Sequence, residues 1–165
     1  HGLMPVFAAE VFEVGPVGLG LMMSAMGVGS TVGTLILASL GDVRYKGRIM
    51  LSCLGLTVVA TLAFSLSPTI AVALPLIMLV GGGYESFAAM RHAAIQTIAP
   101  DHLRGRTTAM NFMGTGLAPL GGLLLGGVAE VLGAPAATLV AAFVMGACIA
   151  GLSWRFRGVW GYQAV

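Results

Sequence analysis

Residues 17–48 read VGLGLMMSAMGVGSTVGTLILASLGDVRYKGR and contain the two features that decide the fold. An uncharged, mainly apolar run extends to Leu40, and three basic residues follow it closely, at Arg44, Lys46 and Arg48. An apolar run of more than about 18 residues has the length of a membrane-spanning helix. A basic cluster directly after such a run is typical of a cytoplasmic loop. This stretch therefore predicts an integral membrane protein.

The composition of the whole chain indicates the same class. Of its 165 residues, 58% are hydrophobic and 8% are charged, whereas about a quarter of the residues in soluble domains are charged. Cys53 and Cys148 lie in apolar runs without the spacing of a metal or redox motif. The basic residues form no face interleaved with aromatic residues, which argues against nucleic acid as a partner. We expect no cofactor and no metal.

Four further apolar runs predict an all-α membrane protein with five complete transmembrane helices. The predicted spans are residues 17–40, 49–66, 69–99, 107–132 and 136–154. Turn signals at Pro68, Pro100 and Pro135 lie between them. The chain opens on a segment that is already apolar, which we interpret as the end of a truncated sixth helix. Such long continuous runs differ from the short alternating strands of a membrane β-barrel.

The basic residues divide between the two sides of the membrane. Loops 41–48 and 100–106 and the tail from Arg155 share one side and hold seven of the eight Lys and Arg residues. Loops 10–16, 67–68 and 133–135 share the other side and hold none. Because loops rich in Lys and Arg remain in the cytoplasm, we predict a multi-pass protein of the plasma (inner) membrane with a cytoplasmic C-terminus.

Four stretches make the chain resemble the C-terminal half of a major facilitator superfamily transporter. They are LMPVFA at 3–8 with GPVGLG at 15–20, ASLGD at 38–42 with KGR at 46–48, QTIAPDHLRGR at 96–106, and APLGG at 118–122 with Gly126. The likeness is strongest to the branch that contains enterobactin-type siderophore exporters and macrolide-efflux proteins. The chain departs from the family's cytoplasmic loop signature at Val43, which separates Asp42 from the next basic residue.

The resemblance implies half of a twelve-helix fold. Residues 1–156 would form the C-terminal six-helix bundle with its first helix truncated, and residues 157–165 a cytoplasmic tail. The expected partners are a small-molecule substrate, the lipid bilayer and the missing N-terminal half of the same transporter. The resemblance also implies a set of residues that gate the transport path at its cytoplasmic end. The alternative is that these residues only orient the chain in the membrane and bind lipid headgroups. They are Asp42, Arg44, Lys46, Arg48, Arg104 and Arg106.

Glu85 is the residue that interrupts the apolar pattern. It lies near the middle of run 69–99, where a charged side chain costs roughly 2.5 kcal/mol or more and usually faces the bundle interior, a partner or water. On a helical wheel His92 and Gln96 fall within about 20° of it. Two roles fit Glu85, namely uptake of a proton or attraction of a cationic substrate, and a structural contact that fixes helix packing.

Asn111 and Thr115 complete the candidate transport path, which comprises Glu85, His92, Gln96, Asn111 and Thr115. This polar pair, spaced i, i+4, is suited to bind a substrate or a neighbouring helix. Arg91 lies about 120° from Glu85 on the wheel, and we expect it to extend toward the cytoplasmic headgroups or to pair with another helix.

Glycines are placed where helices approach or bend. The triplet Gly81–Gly83 precedes Glu85 and fits either a flexible point or a close helix contact. Gly29/Gly33 and Gly122/Gly126 have the GxxxG spacing, for which packing is expected.

These features favour a secondary transporter over an enzyme, because no HExxH or GxSxG motif is present. We predict proton-coupled efflux of a small amphipathic molecule, such as a siderophore or drug, by alternating access. The alternative is a non-transporting membrane fragment or helper subunit that assembles through glycine-rich helix faces.

Overall fold

A computed structural model describes residues 2–41, 46–98 and 100–155, without the side chains of Lys46, Ile98, Asp101 and Arg104. All regular structure in these ranges is helical. A short helix α1 (Met4–Val6) continues into a π-helical turn, Phe7–Val11. Six longer helices follow: α2 (Gly15–Ser39), α3 (Lys46–Ser65), α4 (Ile70–Ile98), α5 (Asp101–Gly116), α6 (Ala118–Leu132) and α7 (Ala134–Arg155).

The five predicted spans are confirmed as helices. Five helical stretches in the described ranges are long and apolar enough to cross a membrane: Gly15–Ser39, Gly47–Ser65, Ile70–Thr97, Gly105–Leu132 and Ala134–Arg155. Most of their ends differ from the predicted ones by only a few residues, as expected where helix ends fray. The chain is therefore an all-α, multi-pass membrane protein.

The fourth span differs from its prediction, because it starts earlier and is broken. Helix α5 begins at Asp101, directly after Pro100, and ends at Gly116. After Leu117 a new helix starts at Ala118, with Pro119 in its first turn. Proline has no N–H to continue the hydrogen-bond ladder, and its ring collides with the carbonyl four residues earlier. The span over 107–132 is therefore confirmed, but its helix is interrupted at Leu117.

Helix α4 lies at the centre of the bundle. It packs most extensively against α2 and α3, while α7 packs against α3 and α6 against α7. The largest fully buried side chains are Phe7, Met22 and Ile77, and the ring of Phe7 lies 4.6 Å from that of Phe64. The core thus forms where the N-terminal segment meets the middle helices.

Glycines bring α2 and α4 into backbone contact. A Cβ atom on Gly33 would lie 2.6 Å from the Cα of Gly82, and one on Gly82 would lie 2.9 Å from the carbonyl oxygen of Gly29. On the opposite side, a Cβ on Gly83 would lie 2.8 Å from the carbonyl oxygen of Cys53 in α3. Of the two roles left open for the triplet, the structure contains the close helix contact.

The second GxxxG pair behaves differently. A Cβ on Gly122 or Gly126 would meet no atom within 4 Å among the described residues. Among the described residues, the near approach to this pair is that of Gly2, whose added Cβ would lie 3.8 Å from the Cα of Gly122. The predicted tail at 157–165 lies outside the described residues.

Candidate functional site

Glu85 occupies the middle of the central helix. It is the sixteenth residue of the 29-residue helix α4, counting from Ile70, and its side chain is partly buried. It lies one turn after Gly81, on the same face of α4. A Cβ on Gly81 would lie 2.5 Å from the carbonyl oxygen of Met26, which places this face against α2. Among the described residues, no hydrogen bond or ion pair of Glu85 is seen, and its role stays a prediction.

His92 and Asn111 join the central helix to α5. The amide Nδ2 of Asn111 lies 3.2 Å from His92 Nδ1, and the ring of Phe112 lies 6.3 Å from the imidazole ring. The same amide nitrogen lies 3.5 Å from His92 Nε2. Of the two roles considered for Asn111, the structure contains the bond to a neighbouring helix.

Among the described residues, Thr115 and Gln96 form no hydrogen bond of this kind to another helix. The hydroxyl of Thr115 lies 3.4 Å from the carbonyl oxygen of Asn111 in its own helix, while Gln96 is exposed near the end of α4. Hydrogen bonds thus connect His92, Asn111 and Thr115. Glu85 lies two turns before His92, on the same face of α4. A substrate contact of any of them stays a prediction.

A cavity of about 320 Å³ lies between the N-terminal segment and helices α3, α4, α6 and α7. Its walls are mainly apolar, and the hydroxyl groups among its lining residues belong to Thr57, Thr61, Tyr84 and Thr138. The three threonines donate to carbonyl oxygens one turn earlier, at 2.9, 2.7 and 2.9 Å. Their lone pairs therefore remain as hydrogen-bond acceptors.

The threonines of this cavity were not among the sequence-based candidates. Thr57 and Thr61 have the same i, i+4 spacing as Asn111 and Thr115, and this spacing was the available signal. None of the five path candidates lines the cavity, whereas Tyr84, the neighbour of Glu85, lines it from α4 together with Ile77 and Val80.

Arg91 departs from its expected position. Its guanidinium carbon lies 5.6 Å from the centre of the Phe87 ring, one turn nearer the start of α4. Its Nε is enclosed and has no hydrogen-bond partner among the described residues. The side chain therefore extends along α4 away from the helix end at Ile98, because Cα–Cβ bonds tilt toward the helix N-terminus. The expectation that it reaches the cytoplasmic headgroups is wrong.

The cytoplasmic gating candidates are only partly described. Arg48 and Arg106 are exposed. Asp42 and Arg44 lie outside the described residues, as do the side chains of Lys46 and Arg104. Their predicted role in gating therefore stays a prediction.

Comparison with known proteins gives matches over most of the chain. The multidrug efflux pump Tap of Mycolicibacterium fortuitum is 30% identical over 131 residues, which are 79% of this chain and 32% of that protein. The Tap pumps of Mycobacterium tuberculosis and Mycobacterium bovis are each 33% identical over 129 residues, or 77% of this chain and 30% of theirs. The chain thus spans about a third of these relatives. No solved structure gives a significant match.

The family assignment covers more of the sequence than any relative named here. The Major Facilitator Superfamily profile matches residues 2–159, a range that includes the central helix with Glu85 and the His92–Asn111 pair. The match agrees with five helices of membrane-spanning length in the described ranges. The match does not show whether the chain belongs to the enterobactin and macrolide branch, or whether it is the C-terminal half of the fold. The chain belongs to the Major Facilitator Superfamily.

Proposed function

We propose that this chain is the C-terminal six-helix bundle of a proton-coupled efflux transporter for small amphipathic molecules. The observation that carries the proposal is Glu85, a partly buried carboxylate halfway along the central spanning helix of a superfamily member. Acidic residues at this depth are costly and occur where ions, protons or substrates pass. The similarity to multidrug efflux pumps supports export as the direction.

The proposed path is formed by Glu85, His92, Gln96, Asn111 and Thr115. Glu85 exchanges the proton, and the polar side chains nearer the end of α4 and on α5 relay it or contact the substrate. The apolar cavity with its few hydroxyl acceptors suits drug-like or siderophore-like molecules, because ligand sites combine apolar walls with a small number of polar groups.

Alternating access requires a second bundle, and the fourth span offers a surface for it. Every residue from 105 to 132 is exposed or only partly buried in the structure. We propose that this surface faces the N-terminal half of the transporter and that substrate passes between the two bundles. Asp42, Arg104 and Arg106 would then pair across the cytoplasmic ends during gating.

The proposal is tested by efflux measurements on the protein in its longest encoded form. Cells that express it should accumulate less of a fluorescent amphipathic dye than cells with an empty vector. Collapse of the proton gradient with a protonophore should remove the difference, because the gradient supplies the free energy. Equal accumulation in both cell types, despite verified membrane insertion, would contradict the proposal.

Such a negative result would favour the alternative of a non-transporting helper subunit. One feature of the structure suits that role, namely the uncovered glycines of α6. A Cβ on Gly121, Gly126 or Gly127 would meet no described atom within 4 Å, so a helix of another chain has room to approach closely.

The orientation gives a separate prediction. In a variant with Cys53 and Cys148 replaced by serine, Thr69→Cys should react with a membrane-impermeant maleimide in intact cells. His102→Cys should react only after permeabilisation, because the basic loop 100–106 remains in the cytoplasm. Both positions are exposed. Thr69 directly precedes α4, and His102 lies beyond the other end of α4, in the first turn of α5. The reverse labelling pattern would show that the C-terminus is outside.

A further inference from the structure

The guanidinium group of Arg91 is directed into the membrane-spanning part of α4. Seven residues, or about 10 Å of helix, separate Arg91 from the end of α4 at Ile98. From there the side chain turns back over the ring of Phe87, with 5.6 Å between the guanidinium carbon and the ring centre. Long cationic side chains near helix ends normally extend toward the interface. Arg91 does the opposite.

No acidic partner for this cation is found among the described residues. The described carboxylates are Glu10, Glu13, Glu85 and Glu130, and none of them forms an ion pair with Arg91. Glu85 precedes it by six residues and points about 120° away around α4. Nε is enclosed without a hydrogen-bond acceptor. The face of the Phe87 ring attracts the positive charge weakly. Unlike an oxygen atom, the ring does not accept hydrogen bonds from the five N–H groups of the guanidinium.

Arg91 shares a face of α4 with the cavity. Tyr84 precedes it by seven residues, which places the two within about 20° on the helix and about 10 Å apart along it. Tyr84 lines the cavity of about 320 Å³, together with Ile77 and Val80 from the same helix. When the apolar body of an amphipathic molecule fills the cavity, Arg91 therefore lies beyond the end of the cavity that Tyr84 lines.

We propose that Arg91 binds an acidic oxygen group of the substrate and so selects amphipathic anions, such as carboxylates or sulfonates. This rests on the proposed transport function. The planar guanidinium fork matches the two oxygens of such a group, and the partial burial of the residue strengthens the charge-assisted hydrogen bonds relative to water. Neutral molecules of the same shape enter the cavity without using Arg91.

Two dyes that differ by one anionic group test the proposal. Anilinonaphthalene sulfonate carries a sulfonate that N-phenylnaphthylamine lacks, and both share the same aromatic body. Transport of each is measured in proteoliposomes with the protein in its longest encoded form, against protein-free vesicles. Arg91→Met should lower sulfonate transport about tenfold, the size expected for one lost charge-assisted contact. Transport of the neutral dye should stay within about twofold, and Arg91→Lys should retain part of the sulfonate transport, since it keeps the charge but loses the fork.

The matched control is Arg155→Met, which removes the same charge from an exposed position at the end of α7. It should change neither dye. If Arg91→Met lowers both dyes equally, or lowers neither, Arg91 does not select anions and the proposal is wrong. If wild-type protein moves neither dye nor any other amphipathic dye, the proposed transport function fails instead. Retained transport of the neutral dye shows that the Arg91 variant is folded.

Discussion

Replacing Glu85 with glutamine should abolish proton-driven efflux while leaving the amount of membrane-inserted protein unchanged. Glutamine keeps the size and hydrogen-bonding ability of the side chain but cannot take up or release a proton. We expect the rate driven by an imposed pH gradient to fall at least about tenfold, which corresponds to about 1.4 kcal/mol or more of lost coupling. The measurement is dye efflux from proteoliposomes with and without the gradient.

The control for Glu85 is Glu10→Gln. Glu10 is an exposed carboxylate in the π-helical turn Phe7–Val11, away from the proposed path, so its neutralisation should leave gradient-driven efflux intact. Glu85→Asp should retain part of the activity, because it keeps a titratable carboxyl on the same face of α4. Full gradient-driven efflux in Glu85→Gln would mean that the carboxyl group serves helix packing only.

Replacing Gly33 with alanine should destabilise the protein. The new Cβ would lie 2.6 Å from the Cα and 2.7 Å from the carbonyl oxygen of Gly82. Both are backbone atoms, so the clash is relieved only by moving α2 away from α4, the most extensive helix contact in the structure. Overpacking of this kind costs about 1–3 kcal/mol. Thermal unfolding of the purified protein in detergent measures the effect.

Gly27→Ala is the matched control on the same helix. A Cβ at Gly27 meets no described atom within 4 Å, and alanine favours helix formation over glycine by up to about 1 kcal/mol. This variant should therefore unfold at the wild-type temperature or slightly above it. Equal destabilisation by the two substitutions would show that the contact with Gly82 does not govern the result.

The spans followed from the sequence because lipid imposes one simple requirement. Each uncharged run had to be a helix, since no water is available to the backbone in the hydrocarbon core. The break at Leu117 was missed because the run continues without a charge through Pro119, and the hydrophobic pattern is insensitive to proline. The midpoint position of Glu85 was predicted for the same reason as the spans, namely from its count along an apolar run.

The contacts of these residues were not predictable in the same way. Sequence analysis left open whether Gly81–Gly83 forms a hinge or a contact, and it directed Arg91 toward the cytoplasm. Both depend on which helices are neighbours and on the direction in which side chains leave α4. The hydrophobic pattern of a membrane protein says little about this, because lipid-facing and helix-facing surfaces are equally apolar.

The sequence by itself therefore determined the all-α class, the five spans and the depth of the intramembrane charges, since burial in lipid selects for apolar length and against charge. Only the tertiary structure decided that the glycines of α2 and α4 meet at backbone distance, that His92 is bonded to Asn111, and that Arg91 lies over Phe87 on the face of α4 that lines the cavity. The first two outcomes depend on contacts between residues distant in the chain, which helical periodicity does not encode, and the third depends on the side-chain conformation of Arg91 within its own helix.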